Sequence, residues 1–215
     1  MEASAESGPA AAREARRVAV FGGSFNPPHV GHVLGVVYAL ATAPIDEVLV
    51  VPVYQHPFAK HLASFADRLA MCRLAVGWLP RVSGSTVEEE LGGESRTLRT
   101  LEHLGATHPE LSLRLLVGAD VLGDLPKWHR WDRIAELAPP LVLGRRGITA
   151  VDAAVTWVGA TSDEPPAPIL PRVSSTEIRA ALAAGDVAAV RGLVPATVID
   201  HIVAKGLYGV TGVKG

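Results

Sequence analysis

The stretch VAVFGGSFNPPHVGH, residues 18–32, joins an apolar run to a glycine pair and then to the opening of a helical pattern. Val18 to Phe21 is β-branched and aromatic and stops at Gly22-Gly23, which predicts a buried strand ending in a turn where backbone can approach a ligand closely. After Pro27-Pro28 a helix is expected from about Val30 to about residues 42–44. Val33, Leu34, Val37, Leu40 and Ala41 recur at the 3.6-residue period of a core-facing stripe. His29 and His32, three apart across the helix start, can point the same way. Because a helix N-terminus presents free N–H groups and the positive end of its dipole, the two imidazoles and the Ser24 hydroxyl would complete a phosphate site there. A His-x-x-His pair by itself also suits an ordinary surface pair. Zinc is disfavoured, since no third or fourth ligand stands at a recognisable spacing.

A length of 215 residues suffices for one domain with a sizeable core. Residues 1–17, rich in Ala, Glu and Arg without an apolar stripe, are expected to be a disordered tail, and residues 18–215 a single domain. With 20 basic and 22 acidic residues, the chain offers no general electrostatic attraction for nucleic acid or an anionic membrane, so anion binding must be local. One cysteine, Cys72, excludes an internal disulfide framework and suits a reducing cytoplasm. It falls in phase with Phe65, Leu69, Val76 and Leu79, as a core residue would. No run of 18 apolar residues and no signal-peptide order is present, so no membrane association is expected.

Residues 46–53, DEVLVVPV, predict a central parallel strand. The loop after it, residues 54–64, contains His56, Lys60 and His61 at the edge where open α/β sheets bind ligands, so Lys60 is either a phosphate contact or a solvated lysine. Residues 67–79 predict an amphipathic helix and residues 81–90 a third strand ending in three acids. Thr97 is a candidate helix N-cap. Strands are further predicted at residues 113–117, 141–143 and near 155–158. Asp120, at the end of the first of these, can contact a nucleotide or cap the short helix that follows. Trp128 and Trp131 fall in a turn, where one ring can act as a stacking platform. Arg145, after residues 141–143, can meet phosphate or adenine. Ser174 and Glu177 read as an S-x-x-E capping box, so a helix starts there and makes a second anion site with Ser175 and Arg179. Helices are expected at residues 187–190 and 196–205. Neither G-x-x-x-x-G-K-(S/T) nor G-x-G-x-x-G occurs, which leaves P-loop phosphotransfer and dinucleotide dehydrogenation unsupported.

Residues 22–32, GGSFNPPHVGH, resemble the GG-(T/S)-F-(D/N)-P-x-H-x-G-H signature of the nucleotidylyltransferase superfamily. Residues 173–179, VSSTEIR, resemble its I-S-S-T-x-I-R segment. Further pieces resemble the nicotinate-nucleotide adenylyltransferase branch: Ser95-Arg96-Thr97 in the place of Ser-Tyr-Thr, Gly118-Ala119-Asp120 for G-x-D, Leu125 to Trp128 for L-P-x-W, and Gly206-Leu207-Tyr208 for the terminal G-L-Y. Arg96 departs from the family tyrosine, and Phe58 stands where the loop histidine would be. The resemblance implies a Rossmann-like open, mostly parallel sheet flanked by helices (residues 18–172), with a small C-terminal helical part (173–215). It implies adenylyl transfer from ATP to nicotinate mononucleotide, with Mg²⁺ arriving on ATP rather than in a protein metal site. In roles, it implies His32, His29 and Arg179 at the reacting phosphates. Gly22, Gly23, Ser24, Phe25, Lys60, Asp120, Arg145, Ser174 and Ser175 would lie around ATP, and Ser95, Arg96, Thr97 and Trp128 around the nicotinate nucleotide. Alternatives are another phosphorylated acceptor, such as nicotinamide mononucleotide or phosphopantetheine, or a non-catalytic nucleotide sensor. A class I synthetase fragment would bring a larger chain with a tRNA-binding surface. The sequence leaves open whether the chain forms a homo-oligomer.

Overall fold

The computed structural model describes residues 15–56, 62–144, 156–157 and 172–210. Six strands, β1 (Arg16–Gly23), β2 (Glu47–Pro52), β3 (Val82–Gly84), β4 (Leu111–Gly118), β5 (Pro140–Leu143) and β6 (Thr156–Trp157), form one sheet in the order β3-β2-β1-β4-β5-β6. All registered pairs are parallel, and Val20 lies opposite Leu49 on one side and Leu115 on the other. A parallel sheet is covered on both faces, which is why its central strands read as unbroken apolar runs. The helices are α1 (Val30–Thr42), α2 (Phe65–Val76), α3 (Val87–Leu91), α4 (Thr97–Thr107), α5 (Trp131–Leu137), α6 (Ser175–Ala183) and α7 (Ala196–Lys205).

Successive strand residues point to opposite faces, so β1 feeds two cores. Ala19 and Phe21 pack with Val36, Met71, Ile178 and Ile202, beneath α1, α2, α6 and α7. Val18 and Val20 pack with Leu101, Leu115, Ile134 and Val142, beneath α4 and α5. Strand order reverses between β1 and β4, so Gly22-Gly23 and Gly118 end their strands on either side of the position where α/β sheets accept ligands.

Several expectations are corrected. Strand β1 begins before Val18, since it already contains Arg16 and Arg17. The Arg17 backbone N–H donates to Asp46 at 2.8 Å and its guanidinium reaches the same carboxylate at 3.0 Å, extending the pairing with β2. The buried stripe of α1 is only partly the expected one: Val33 and Leu40 pack against the core, but Leu34 is 44 % and Val37 38 % exposed, whereas Gly31, Gly35, Val36 and Ala39 are buried. Small residues four apart let the α1 backbone settle close on its neighbours, and that closeness outweighs the larger apolar side chains on the outer face. Residues 81–90 are not one strand. Only Val82 to Gly84 pair with β2, and Glu88, Glu89 and Glu90 occupy the first turn of α3, where the helix dipole favours acids. Residues 188–190 form a single 3₁₀ turn, followed by Gly192 at φ 100°. Residues 196–205 are α7 as expected.

Candidate active site

The N-cap of α1 is His29, and its backbone N–H donates to Nδ1 of His32 at 3.1 Å. A nitrogen that accepts carries no proton, so the proton of the neutral His32 ring sits on Nε2 as a donor. The ring is fixed by its neighbours: His29 stacks on it with centroids 3.7 Å apart, and Phe25 meets it at 5.0 Å. Phe25 is buried at φ 45°, so its side chain belongs to the core and only its backbone can serve a ligand at this turn. A Cβ placed on Gly22 would meet nothing within 4 Å apart from its chain neighbours, whereas one on Gly23 would come within 3.2 Å of the Phe25 ring. Gly22 therefore borders open space at the end of β1, and Gly23 makes room for packing.

The second landmark lies against the first. Ser175 Oγ, in the first turn of α6, donates to the Pro27 carbonyl at 2.9 Å, and Arg179 Nη1 donates to the Asn26 carbonyl at 2.7 Å. Two motifs about 150 residues apart in sequence thus share hydrogen bonds. Arg179 also reaches Thr176 Oγ1 at 3.3 Å. Ser174 is the N-cap of α6, as expected, but its side chain accepts from the Thr176 N–H, so the helix is capped by a tighter turn than the reciprocal Ser174–Glu177 box.

On the other side of β1, the Ser95 hydroxyl accepts from the Tyr54 N–H at 2.7 Å, and the Ser95 N–H donates to the Gln55 carbonyl at 2.9 Å. The turn before α4 is thereby fixed to the loop after β2. Thr97 is the first residue of α4 and Arg96 its N-cap, so Thr97 does not cap the helix. Arg96 is exposed and paired with Glu94 at 2.9 Å. Asp120 is exposed in the first turn of a 3₁₀ run, residues 119–127, that leaves β4. Trp128 ends that run, half-buried, with Trp131 edge-on at 6.3 Å. Trp131 is half-buried as well and packs against the core beneath α4 and α5. Lys60 and Arg145 lie outside the described residues.

Four supporting residues, Arg68, Asn26, Tyr208 and Asp67, are given no role by the sequence reading. Arg68, 1 % exposed, donates from Nε to the Ala63 carbonyl at 2.9 Å, from Nη1 to the Ser24 carbonyl at 3.1 Å and from Nη2 to the Tyr54 carbonyl at 3.4 Å. Burial draws its guanidinium below the usual range. Its position three after Phe65 and four before Cys72 is the signal, since an arginine on the buried stripe of α2 must have internal partners. Asn26, equally buried, accepts through Oδ1 from the Tyr208 hydroxyl at 2.8 Å and from the Ala63 N–H at 3.0 Å. Burial also pushes Tyr208 up, so it remains a donor at neutral pH. Asp67 is held below the usual carboxylate range, first by Ser64 and then by His201 of α7 at 3.2 Å. Among the described residues no group of three or more His, Cys, Asp or Glu could hold a metal ion, and no helix is long and apolar enough to cross a membrane.

The cytidylyltransferase-like family model matches residues 20–181. A relative from Anaeromyxobacter dehalogenans (strain 2CP-C), named probable nicotinate-nucleotide adenylyltransferase, is 48 % identical over 196 residues, covering 90 % of this chain and 97 % of its own. One of the same name from Myxococcus xanthus (strain DK1622) is 42 % identical over 201 residues, covering 92 % and 97 %. In fold, the chain resembles Plasmodium falciparum nicotinic acid mononucleotide adenylyltransferase complexed with NaAD, with a TM-score of 0.73 and 19 % identity over 91 % of this chain and 98 % of that one.

Proposed function

Because the chain belongs to the cytidylyltransferase-like family, we propose that it transfers an adenylyl group from ATP to nicotinate mononucleotide, forming nicotinate adenine dinucleotide and pyrophosphate in NAD biosynthesis. The observation that carries this reading is the union of the two helix starts. Ser175 and Arg179 bond to the Asn26-Pro27 carbonyls, at the loop that leads into His29 and His32.

The acceptor's 5′-phosphate is a ready nucleophile, because the second pKa of a phosphate monoester is near ~6, and no general base is required. Catalysis then consists of bringing two anions together in line and stabilising the charge that develops on the α-phosphate and the bridging oxygen. His32 is suited to that work as a neutral donor through Nε2, held in its tautomer by the His29 N–H. The N–H groups at the start of α1, with His29 and Ser24, orient phosphate oxygens, and the open space beside Gly22 admits them. Arg179, Ser174 and Ser175 meet the β- and γ-phosphates. Ser95, Arg96, Thr97 and Trp128 form the acceptor side, with Trp128 as the stacking surface. Mg²⁺ would be carried by the ATP phosphates, where it neutralises charge and retains water ligands; Asp120 is an exposed carboxylate of the kind that meets a hydrated ion. The near-neutral chain and its reduced cysteine suit a cytoplasmic enzyme.

The test is pyrophosphate release from ATP with nicotinate mononucleotide, nicotinamide mononucleotide and phosphopantetheine supplied separately. The highest kcat/KM is expected with nicotinate mononucleotide. A preference for either other acceptor would overturn the substrate assignment, and no release with any of them would overturn the activity.

A further inference from the structure

The geometry points to Arg68 as a positioning residue that fixes the register between the ATP half and the acceptor half of the site, an inference that rests on the function proposed above. The guanidinium is fully buried and, among the described residues, its hydrogen bonds go to three backbone carbonyls and none to a carboxylate. Each carbonyl comes from a different segment. Ser24 belongs to the turn between β1 and α1, Tyr54 to the loop after β2, and Ala63 to the approach to α2.

The backbone of Tyr54 continues the connection, since the N–H of the same residue, in the preceding peptide unit, donates to Ser95 Oγ at 2.7 Å in the acceptor-side turn. A chain of hydrogen bonds therefore runs Ser24, Arg68, Tyr54, Ser95, from the phosphate turn to the pyridine side. Ala63 is bound from two directions, its carbonyl by Arg68 and its N–H by Asn26 Oδ1, so the same anchor also secures the loop that leads to His29. A planar fork with fixed N–H directions can hold three carbonyls at set angles, which a single ammonium cannot. Burying a permanent charge with dipoles alone is costly, and a purely structural tether between two loops would need no charge. Because the reaction must place two bound anions in line, a link between the two binding turns governs alignment more than the affinity of either substrate.

The experiment compares wild type, Arg68→Lys, Ser95→Ala and the double variant in steady-state pyrophosphate release with nicotinate mononucleotide. Amide hydrogen exchange is read on the ligand-free proteins. Arg68→Lys should lower kcat about 10- to 100-fold, the scale of a misplacement on the order of 1 Å, with each KM within about threefold of wild type. Exchange should quicken in residues 23–26 and 53–55 together. Ser95→Ala, which leaves the α2 core intact, should lower kcat by itself and add little in the Arg68→Lys background, because both cut one chain. Unchanged kcat in folded Arg68→Lys, a loss confined to KM, additive effects in the double variant, or loosening of one loop alone would each overturn the inference. An Arg68→Lys chain that fails to fold leaves Ser95→Ala as the decisive variant, and wild-type kcat there overturns it. An inactive wild type would overturn the functional reading together with this one, whereas an active wild type matched by the variants overturns the coupling alone.

Discussion

Substitution of His32 separates two jobs done by one ring. Its Nδ1 accepts the His29 N–H at 3.1 Å and so helps to start α1, while Nε2 is the donor that the proposed function assigns to the reacting phosphate. An asparagine side chain at this position would place an amide oxygen near the site of Nδ1 but no donor at the site of Nε2; an alanine would remove both groups. Losing a single hydrogen bond at a helix start costs about 1 kcal/mol. For a chain of this length that corresponds to a Tm lower by about 2 to 4 °C. Losing one preorganised donor to transition-state charge costs about 10²- to 10³-fold in turnover. His32→Asn should therefore keep a Tm close to wild type and lose about 10² to 10³ in kcat. His32→Ala should lose the same turnover and also the few degrees. Pyrophosphate release with saturating substrates and a thermal melt are the two assays. His32→Asn with wild-type turnover would refute the donor role, and His32→Ala with wild-type Tm would refute the helix-start role.

Gly22→Ala should fold with an unchanged Tm, since apart from its chain neighbours no residue comes within 4 Å of the added methyl, and should raise the KM for ATP about tenfold or more by filling the space that the proposed function gives to phosphate. Asp67, whose folded carboxyl titrates below its ordinary value of about 3.9, stabilises the fold above that pH and ceases to do so as pH falls through the lowered value. Asp67→Asn should accordingly lower Tm by about 2 to 4 °C at pH 7, the scale of one lost hydrogen bond of about 1 kcal/mol, with the difference closing as pH falls through the lowered carboxyl value. Burial pushes the Cys72 thiol up to about 12, so alkylation by iodoacetamide at pH 8 should be on the order of 10³ slower in the native protein than in urea.

The β1 strand, the glycine turn and the onset of α1 are legible in the sequence because they depend on local rules: β-branched residues, glycine, proline and an apolar period. α7 is legible for the same reason. The buried face of α1 is legible only in part. Apolar side chains surround that helix, and the choice falls to Gly31, Gly35 and Ala39, whose small size counts only when another backbone is brought against them. The strand reading of residues 81–90 fails because only three residues there pair with a neighbouring strand; beyond them the acids stabilise a helix start. Within the site, the residues that present groups at strand and helix ends can be picked out. The roles of Arg68, Asn26 and Tyr208 cannot, because each acts through hydrogen bonds to segments far away in sequence. An arginine on an apolar stripe announces that partners exist without saying which.

In the proposed function, the start of α1 and the start of α6 hold one polyphosphate. Calorimetric titration of a non-hydrolysable ATP analogue into wild type, Gly22→Ala and Arg179→Lys tests it directly, one substitution at each start. Both variants should weaken binding at least about tenfold, as expected for obstructing the cradle and for losing a forked, charge-assisted contact. Wild-type affinity in either folded variant would contradict it.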